Sequence, residues 1–220
     1  MRNLLIILTL INISAFTQTV ATTEFPDKAH CPVCALNGED KAEKVRAASE
    51  HDGKMYYFCN EDCKTTFDAD PVAYLPPVLP RPASDFSLQT RDGESVSLVN
   101  FREKWVLIDF WATWCAPCIK TMPKLNKLYQ QNADKGLVVL GIAIDEEDDR
   151  LNKINKIIAK KNIAYPILLD ALENPVWNQF KVKSIPAMFL IDPNGQIVQQ
   201  WAGNFDDDEV VKSVQIFLSH

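Results

Sequence analysis

The chain has 220 residues, of which 47% are hydrophobic and 24% charged, with a formal net charge of -6. That apolar content excludes a wholly disordered chain, and 13 Pro with 7 Gly exclude collagen-like or low-complexity sequence. The excess of 29 acidic over 23 basic residues argues against nucleic-acid binding by phosphate neutralisation. Six cysteines are too few for a disulfide-dense scaffold and too regularly spaced for scattered core residues.

Residues 1–21 read as a secretory signal. Arg2 gives a positive start, Leu4 to Phe16 is almost continuously apolar, and Thr19-Val20-Ala21 ends in a small residue. The apolar run is shorter than the roughly 17–25 residues of a membrane span, so cleavage is expected and no stable membrane insertion after it. The mature protein is then expected in the periplasm or another extracytoplasmic space, where disulfides persist.

Residues 28–75 hold four of the cysteines. Cys31-Pro-Val-Cys34 opens this unit and Cys59-Asn-Glu-Asp-Cys63 closes it, after a hairpin cue at Asp52-Gly53-Lys54. Two short Cys pairs about 25 residues apart suit a tetrahedral thiolate site for zinc or, as soft ligands, copper(I). The alternative is a pair of disulfides. His30 and His51 read as surface histidines rather than further ligands. Tyr56, Tyr57, Phe58 and Phe67 read as a small core, which a metal would help to stabilise.

Leu75-Pro-Pro-Val-Leu-Pro-Arg-Pro82 carries four prolines in eight residues. Proline favours extended backbone, so residues 76–83 read as a semi-rigid linker. Residues 84–220 then alternate strands and helices. Phe86–Thr90 and Ser95–Leu98 flank a turn, Trp105–Trp111 is a buried strand, and Pro117–Gln131 an amphipathic helix. Leu137–Ile144 is a strand, and residues 147–161 form a helix with Leu151, Ile154, Ile157 and Ile158 inward. A strand at Pro166–Leu169, a helix at Pro175–Phe180, a hairpin over Ala187–Trp201 and a helix at Asp206–Leu218 complete the unit. The pattern calls for an α/β fold with a partly parallel sheet. The acidic runs 145–149 and 206–209 read as solvated helix starts with no binding role.

Trp114-Cys115-Ala116-Pro117-Cys118 stands where a buried strand gives way to a helix. The free N–H groups and partial positive charge of a helix N-terminus stabilise a thiolate, which makes Cys115 the candidate nucleophile. Cys118, one turn on, is the candidate resolving thiol. A zinc half-site is disfavoured here, because this unit offers no other cysteine and only His220 at the chain end. No cofactor is expected for catalysis.

The run Val106-Leu-Ile-Asp-Phe-Trp-Ala-Thr-Trp-Cys-Ala-Pro-Cys118, with Pro123 and Val182-Lys-Ser-Ile-Pro186-Ala, resembles the thioredoxin superfamily. The starting hairpin and the insertion from Leu137 to Leu169 resemble its TlpA/ResA-like branch. The resemblance implies a three-layer fold, a mixed central sheet between helices, joined to a small α+β cysteine module. It implies that Pro186 is a cis-proline beside the active-site disulfide, that Trp114 and Ile185 contact substrate, and that Asp109 is a buried proton carrier for Cys118. Several cytochrome-maturation relatives carry glutamate three residues after the second cysteine, where this chain has Thr121. The N-terminal unit resembles the YHS/TRASH-like metal-binding module through Cys34, Cys59, Cys63, Phe67 and Asp70-Pro71-x-x-Tyr74, and Cys31 adds a fourth thiol.

These features point to an exported thiol–disulfide oxidoreductase that reduces protein disulfides and is reset by an upstream membrane or extracytoplasmic electron donor. The runner-up is a protein that handles copper or zinc, its thioredoxin unit keeping ligand cysteines reduced. A peroxiredoxin-like peroxidase is a lesser alternative: it wants threonine one residue before Thr113, where this chain has Ala112.

Overall fold

The computed structural model describes residues 25–36, 39, 41–203 and 205–219, so the expected leader lies outside the described residues. The N-terminal unit comprises β1 (Lys28–His30), α1 (Pro32–Leu36), β2 (Ala42–Lys44), β3 (Ala47–His51), β4 (Lys54–Phe58) and α2 (Glu61–Ala69). β1 pairs with β2, and β3 forms a hairpin with β4. The hairpin turns on Asp52 and Gly53, both at positive φ, which is the backbone that a tight two-residue turn demands. Phe58 and Phe67 are fully buried, their rings 5.1 Å apart, with Tyr56 against Phe67. Tyr57 is only half-buried and meets Phe25 edge-on.

The larger unit is built on one eight-stranded mixed sheet. Its strands are β5 (Arg81–Pro82), β6 (Ser87–Thr90), β7 (Ser95–Ser97), β8 (Trp105–Trp111), β9 (Leu137–Ala143), β10 (Ile167–Leu169), β11 (Ala187–Ile191) and β12 (Gln196–Ala202). They lie in the order β5-β12-β11-β8-β9-β10-β6-β7, with β8, β9 and β10 parallel and the remaining pairs antiparallel. β8 is central and its apolar run is buried on both faces, as parallel core strands are. The proline-rich stretch does more than space two units, because Arg81 and Pro82 pair with Ile197 and Gln196 as the sheet's edge strand.

Alternation along β8 divides the core. Leu107 and Trp111 face a cluster formed with α3 (Ala116–Asn132), α4 (Arg150–Lys161) and α6 (Asp207–Leu218). Val106, Ile108 and Phe110 face the opposite cluster, which α5 (Val176–Gln179) and a 3-10 turn at Leu98–Phe101 cover. The three layers are present, with the second face more lightly covered.

Two expectations are corrected here. The helix expected from residue 147 begins at Arg150, because the Arg150 guanidinium donates to the carbonyls of Asp145 and Asp170 and holds the preceding acidic residues in a turn. Leu151, expected to point inward, consequently sits in the first turn at the periphery and is 37% exposed.

Candidate active site

β8 ends at Trp111, and after three intervening residues Cys115 caps the N-terminus of α3 with extended backbone. Its sulfur accepts the Cys118 N–H at 3.2 Å and is joined to the Cys118 sulfur in a disulfide. Cys115 is 5% exposed and Cys118 fully buried, so the outer sulfur is the one an incoming group meets first. In the dithiol form the helix end that donates this N–H favours thiolate at Cys115. Trp114 beside it is 65% exposed.

β11 lies next to β8, and the loop before it brings Ile185 and Pro186 to the same end of the sheet. The Ile185–Pro186 peptide is cis, and the Pro186 carbonyl accepts the Gly203 N–H at 3.0 Å. Two hollows flank this loop. One, of about 460 Å³, is lined by Trp114, Trp177 and Ile185, with Glu146 and Glu147 at its rim. The other, of about 540 Å³, brings Pro117 of α3 together with Ile185 and Pro186.

Asp109 falls on the same face of β8 as Leu107 and Trp111, toward the cluster that holds Cys115 and Cys118. Its carboxyl is 1% exposed and neither oxygen has a hydrogen-bond partner among the described residues. Burial first, and then the neighbouring Asp207 carboxylate, push it up to about 7. Burial pushes Tyr165 up as well, with Asp109 adding to the effect.

The acidic runs are not uniformly solvated. Asp145 is 1% exposed, and both the backbone N–H and the hydroxyl of Thr113 donate to its carboxylate. Thr113 is therefore a brace for the active-site loop, and its neighbour Ala112 is buried. Asp207 accepts the Thr121 hydroxyl at 2.8 Å and lies 3.6 Å from the Lys124 ammonium. Sequence reasoning missed both carboxylates, and also Asp170, which accepts the N–H groups of Ala171, Val176 and Trp177. Nothing local marks an aspartate as buried when its donors stand 32 or 86 residues away.

The sequence profile of the AhpC/TSA family matches residues 80–200, more than half of the chain. The chain belongs to this family. Within this thioredoxin-like family it is 31% identical over 133 residues to the thiol-disulfide oxidoreductase ResA of Geobacillus thermodenitrificans, covering 60% of this chain and 74% of that one. The thioredoxin-like protein YneN of Bacillus subtilis is 31% identical, covering 61% and 77%. Among solved structures, the thioredoxin domain of a thiol-disulfide oxidoreductase from Bacteroides vulgatus superposes with a TM-score of 0.57 and 28% identity, over 63% of this chain and 96% of that one. A DsbE-type putative thiol:disulfide interchange protein from Chlorobium tepidum gives 0.56 and 28%, over 63% and 94%. The fold and this kinship make the protein a thiol–disulfide oxidoreductase of the ResA/DsbE type.

The matched region begins after the cysteine module. There Cys34 lies 3.4 Å from Cys59 and 3.8 Å from Cys63, with Cys59 and Cys63 3.7 Å apart. Cys31 completes the group, and all four sulfurs lie within 4.8 Å of one another. Four thiolates bound at about 2.3 Å to a central ion stand about 3.8 Å apart at the corners of a tetrahedron. The spacing fits such an ion, and Asn60 fixes it by capping α2 through the Cys63 N–H at 2.8 Å. Burial opposes ionisation of Cys31, yet the backbone N–H groups of Cys34 and Cys59 hold its thiol below the ordinary value. Burial, then the hydrogen bond to Cys59, push Cys34 well up, and the same causes push Cys63 up to about 11. Neither His30 nor His51 joins the four-sulfur group.

Proposed function

We propose that this enzyme is exported and reduces disulfides of extracytoplasmic proteins through Cys115 and Cys118. The observation that carries the reading is the dithiol pair at the start of α3, with Cys115 outermost and Asp109 buried toward the same core. In the reduced form the Cys115 thiolate attacks one sulfur of a substrate disulfide. That S–S bond breaks, a new one joins Cys115 to substrate, and the leaving substrate sulfur takes a proton. Cys118 then gives its proton to the Asp109 carboxylate and attacks the Cys115 sulfur. The Cys115–Cys118 disulfide forms and the second substrate sulfur leaves, protonated. Two electrons and two protons pass to the substrate, and an extracytoplasmic donor dithiol restores the enzyme. Trp114 and Ile185 border the substrate path. Among the described residues no helix is long and apolar enough to cross a membrane.

An insulin-reduction assay tests this reading: turnover is expected from the full chain and none from Cys115→Ser. Equal turnover by the two proteins would refute it. Peroxidase chemistry is not favoured, since Thr113 is committed to Asp145 and Ala112 offers no hydroxyl.

The four-sulfur group supports a second reading, in which residues 28–75 bind zinc or copper and the dithiol keeps ligand cysteines reduced. Cys31, Cys34, Cys59 and Cys63 would hold the ion, which would neutralise the crowded thiolates and tie α1 to α2. Metal content and free-thiol count of the purified protein test it. One equivalent of metal and four accessible thiols after chelation are expected; two intact disulfides in their place would overturn it.

A further inference from the structure

The cysteine module does not stand apart from the redox site. α1 begins beside Cys31, carries Cys34, and ends at Leu36, whose carbonyl accepts the Ser184 hydroxyl at 3.0 Å across 148 residues. On the other side of that carbonyl is Gly203. A Cβ added there would meet the Leu36 oxygen at 2.3 Å, and the backbone is at φ +72, so this approach is open to glycine. Gly203 in turn donates its N–H to Pro186. Lys183 pairs with Asp70 of the module at 3.2 Å. Thus Lys183 and Ser184, immediately before Ile185–Pro186, and Gly203, bonded to Pro186, all bear on the module.

The consequence is a composite groove. Leu36 lines the hollow of about 540 Å³ opposite Pro117, together with Ile185, Pro186, Phe205 and Lys120. Among the described residues Ile185 exchanges no backbone hydrogen bond, and a strand added at the groove would pair with its peptide. Lys120 is exposed and has no acidic partner among the described residues, whereas Asp207 across the groove accepts the Thr121 hydroxyl and shares Lys124 with Asp208. The groove thus sets apolar groups of Leu36, Ile185, Pro186 and Phe205 beside the unpaired Lys120 ammonium, with the Asp207 carboxylate in its lining as well.

We infer that the cysteine module supplies one wall of the substrate groove and helps choose the substrate. The occupant is an extended polypeptide segment that presents an apolar side chain between Leu36 and Phe205 and a carboxylate to Lys120. This inference rests on the thiol–disulfide reading above and assigns it a recognition element that lies outside the family match at residues 80–200. Apolar walls discriminate by contact area and Lys120 by charge, so the two features act on different side chains of the same strand.

Two synthetic peptides, each closed by one disulfide, provide the test. They differ only in the residues after the attacked cysteine, which read Leu-Glu in one and Ser-Lys in the other. The full chain is expected to favour the Leu-Glu peptide in kcat/KM by about fivefold or more, mainly through KM. Leu36→Ala is expected to cut the preference to less than about twofold. Gly203→Ala keeps the Leu36 side chain but forces its carbonyl off the loop, and is expected to erode the preference as well. A wild-type preference that survives both substitutions, or no preference in wild type, overturns the inference. Reduction of 5,5′-dithiobis(2-nitrobenzoate) by the dithiol form is followed in parallel. If wild type consumes neither this small disulfide nor the peptides, the oxidoreductase reading itself falls; if it consumes the small disulfide without discriminating the peptides, only the groove assignment falls.

Discussion

Replacing Asp109 with asparagine keeps the side chain's shape and removes its charge. In the folded protein, burial and then Asp207 carry this carboxyl from 3.8 to about 7. At about 1.36 kcal/mol per pH unit, that displacement costs the folded state about 4 kcal/mol once the group is ionised in both folded and unfolded chains. The sign follows from proton counting. Between the two values the folded chain holds a proton that the unfolded chain has lost, so stability is intact below pH 3.8 and declines as pH rises to about 7. Asp109→Asn has no such decline. Urea unfolding of the oxidised protein at pH 4.5, 6 and 8 is expected to show the variant gaining on wild type by about 3 kcal/mol over that range, the first part of the displacement falling below pH 4.5. Asp207→Asn removes the second cause and is expected to lower the Asp109 midpoint. Activity moves the other way: without a carboxylate to accept the Cys118 proton, Asp109→Asn is expected to slow disulfide reduction near neutral pH. Parallel stability profiles for variant and wild type, or unchanged turnover from about pH 6 to 9, would refute the reasoning.

Other substitutions address separate parts of the molecule. Thr113→Val removes one of the donors to buried Asp145 and is expected to cost about 1–3 kcal/mol of unfolding free energy; a loss below about 0.5 kcal/mol would contradict the bracing role. Cys118→Ser leaves Cys115 without its resolving partner, so mass spectrometry after mixing with a protein disulfide is expected to find a stable Cys115-linked adduct. Absence of the adduct would assign the nucleophile elsewhere. Cys34→Ser removes one corner of the four-sulfur group and is expected to weaken zinc binding at least about tenfold in equilibrium dialysis, with unchanged affinity counting against that site.

The large-scale order of the chain was legible because its signals are local. The uninterrupted apolar run of β8, the turn residues at Asp52-Gly53 and Pro193-Asn194-Gly195, and the Cys-Ala-Pro-Cys step into α3 each announce one element within a few residues. The dithiol itself was legible for the same reason. What escaped was the chemistry assembled by long-range contact. Asp145 and Asp207 sit in acidic runs that look like ordinary solvated helix starts, and only their meetings with Thr113 and Thr121 reveal otherwise. Leu36 carries no sequence cue for a place beside Pro186, since its partner Ser184 belongs to the other end of the chain. The early end of the α4 pattern failed through a single arginine, whose bonds to two carbonyls outcompeted another turn of helix.

The two-residue strand β5 has a practical bearing on how this protein is cut. Arg81 and Pro82 occupy the outer side of β12, and the Arg81 guanidinium lies 6.0 Å from the Phe189 ring. Proline has no N–H to offer a further strand, so the connector closes that margin of the sheet against recruitment by another chain. A fragment starting at residue 84, the apparent domain boundary, strips this guard and leaves Gln196 and Ile197 as open pairing sites. Such a fragment is expected to self-associate where one starting at residue 78 does not, a difference that size-exclusion chromatography at matched concentration would register.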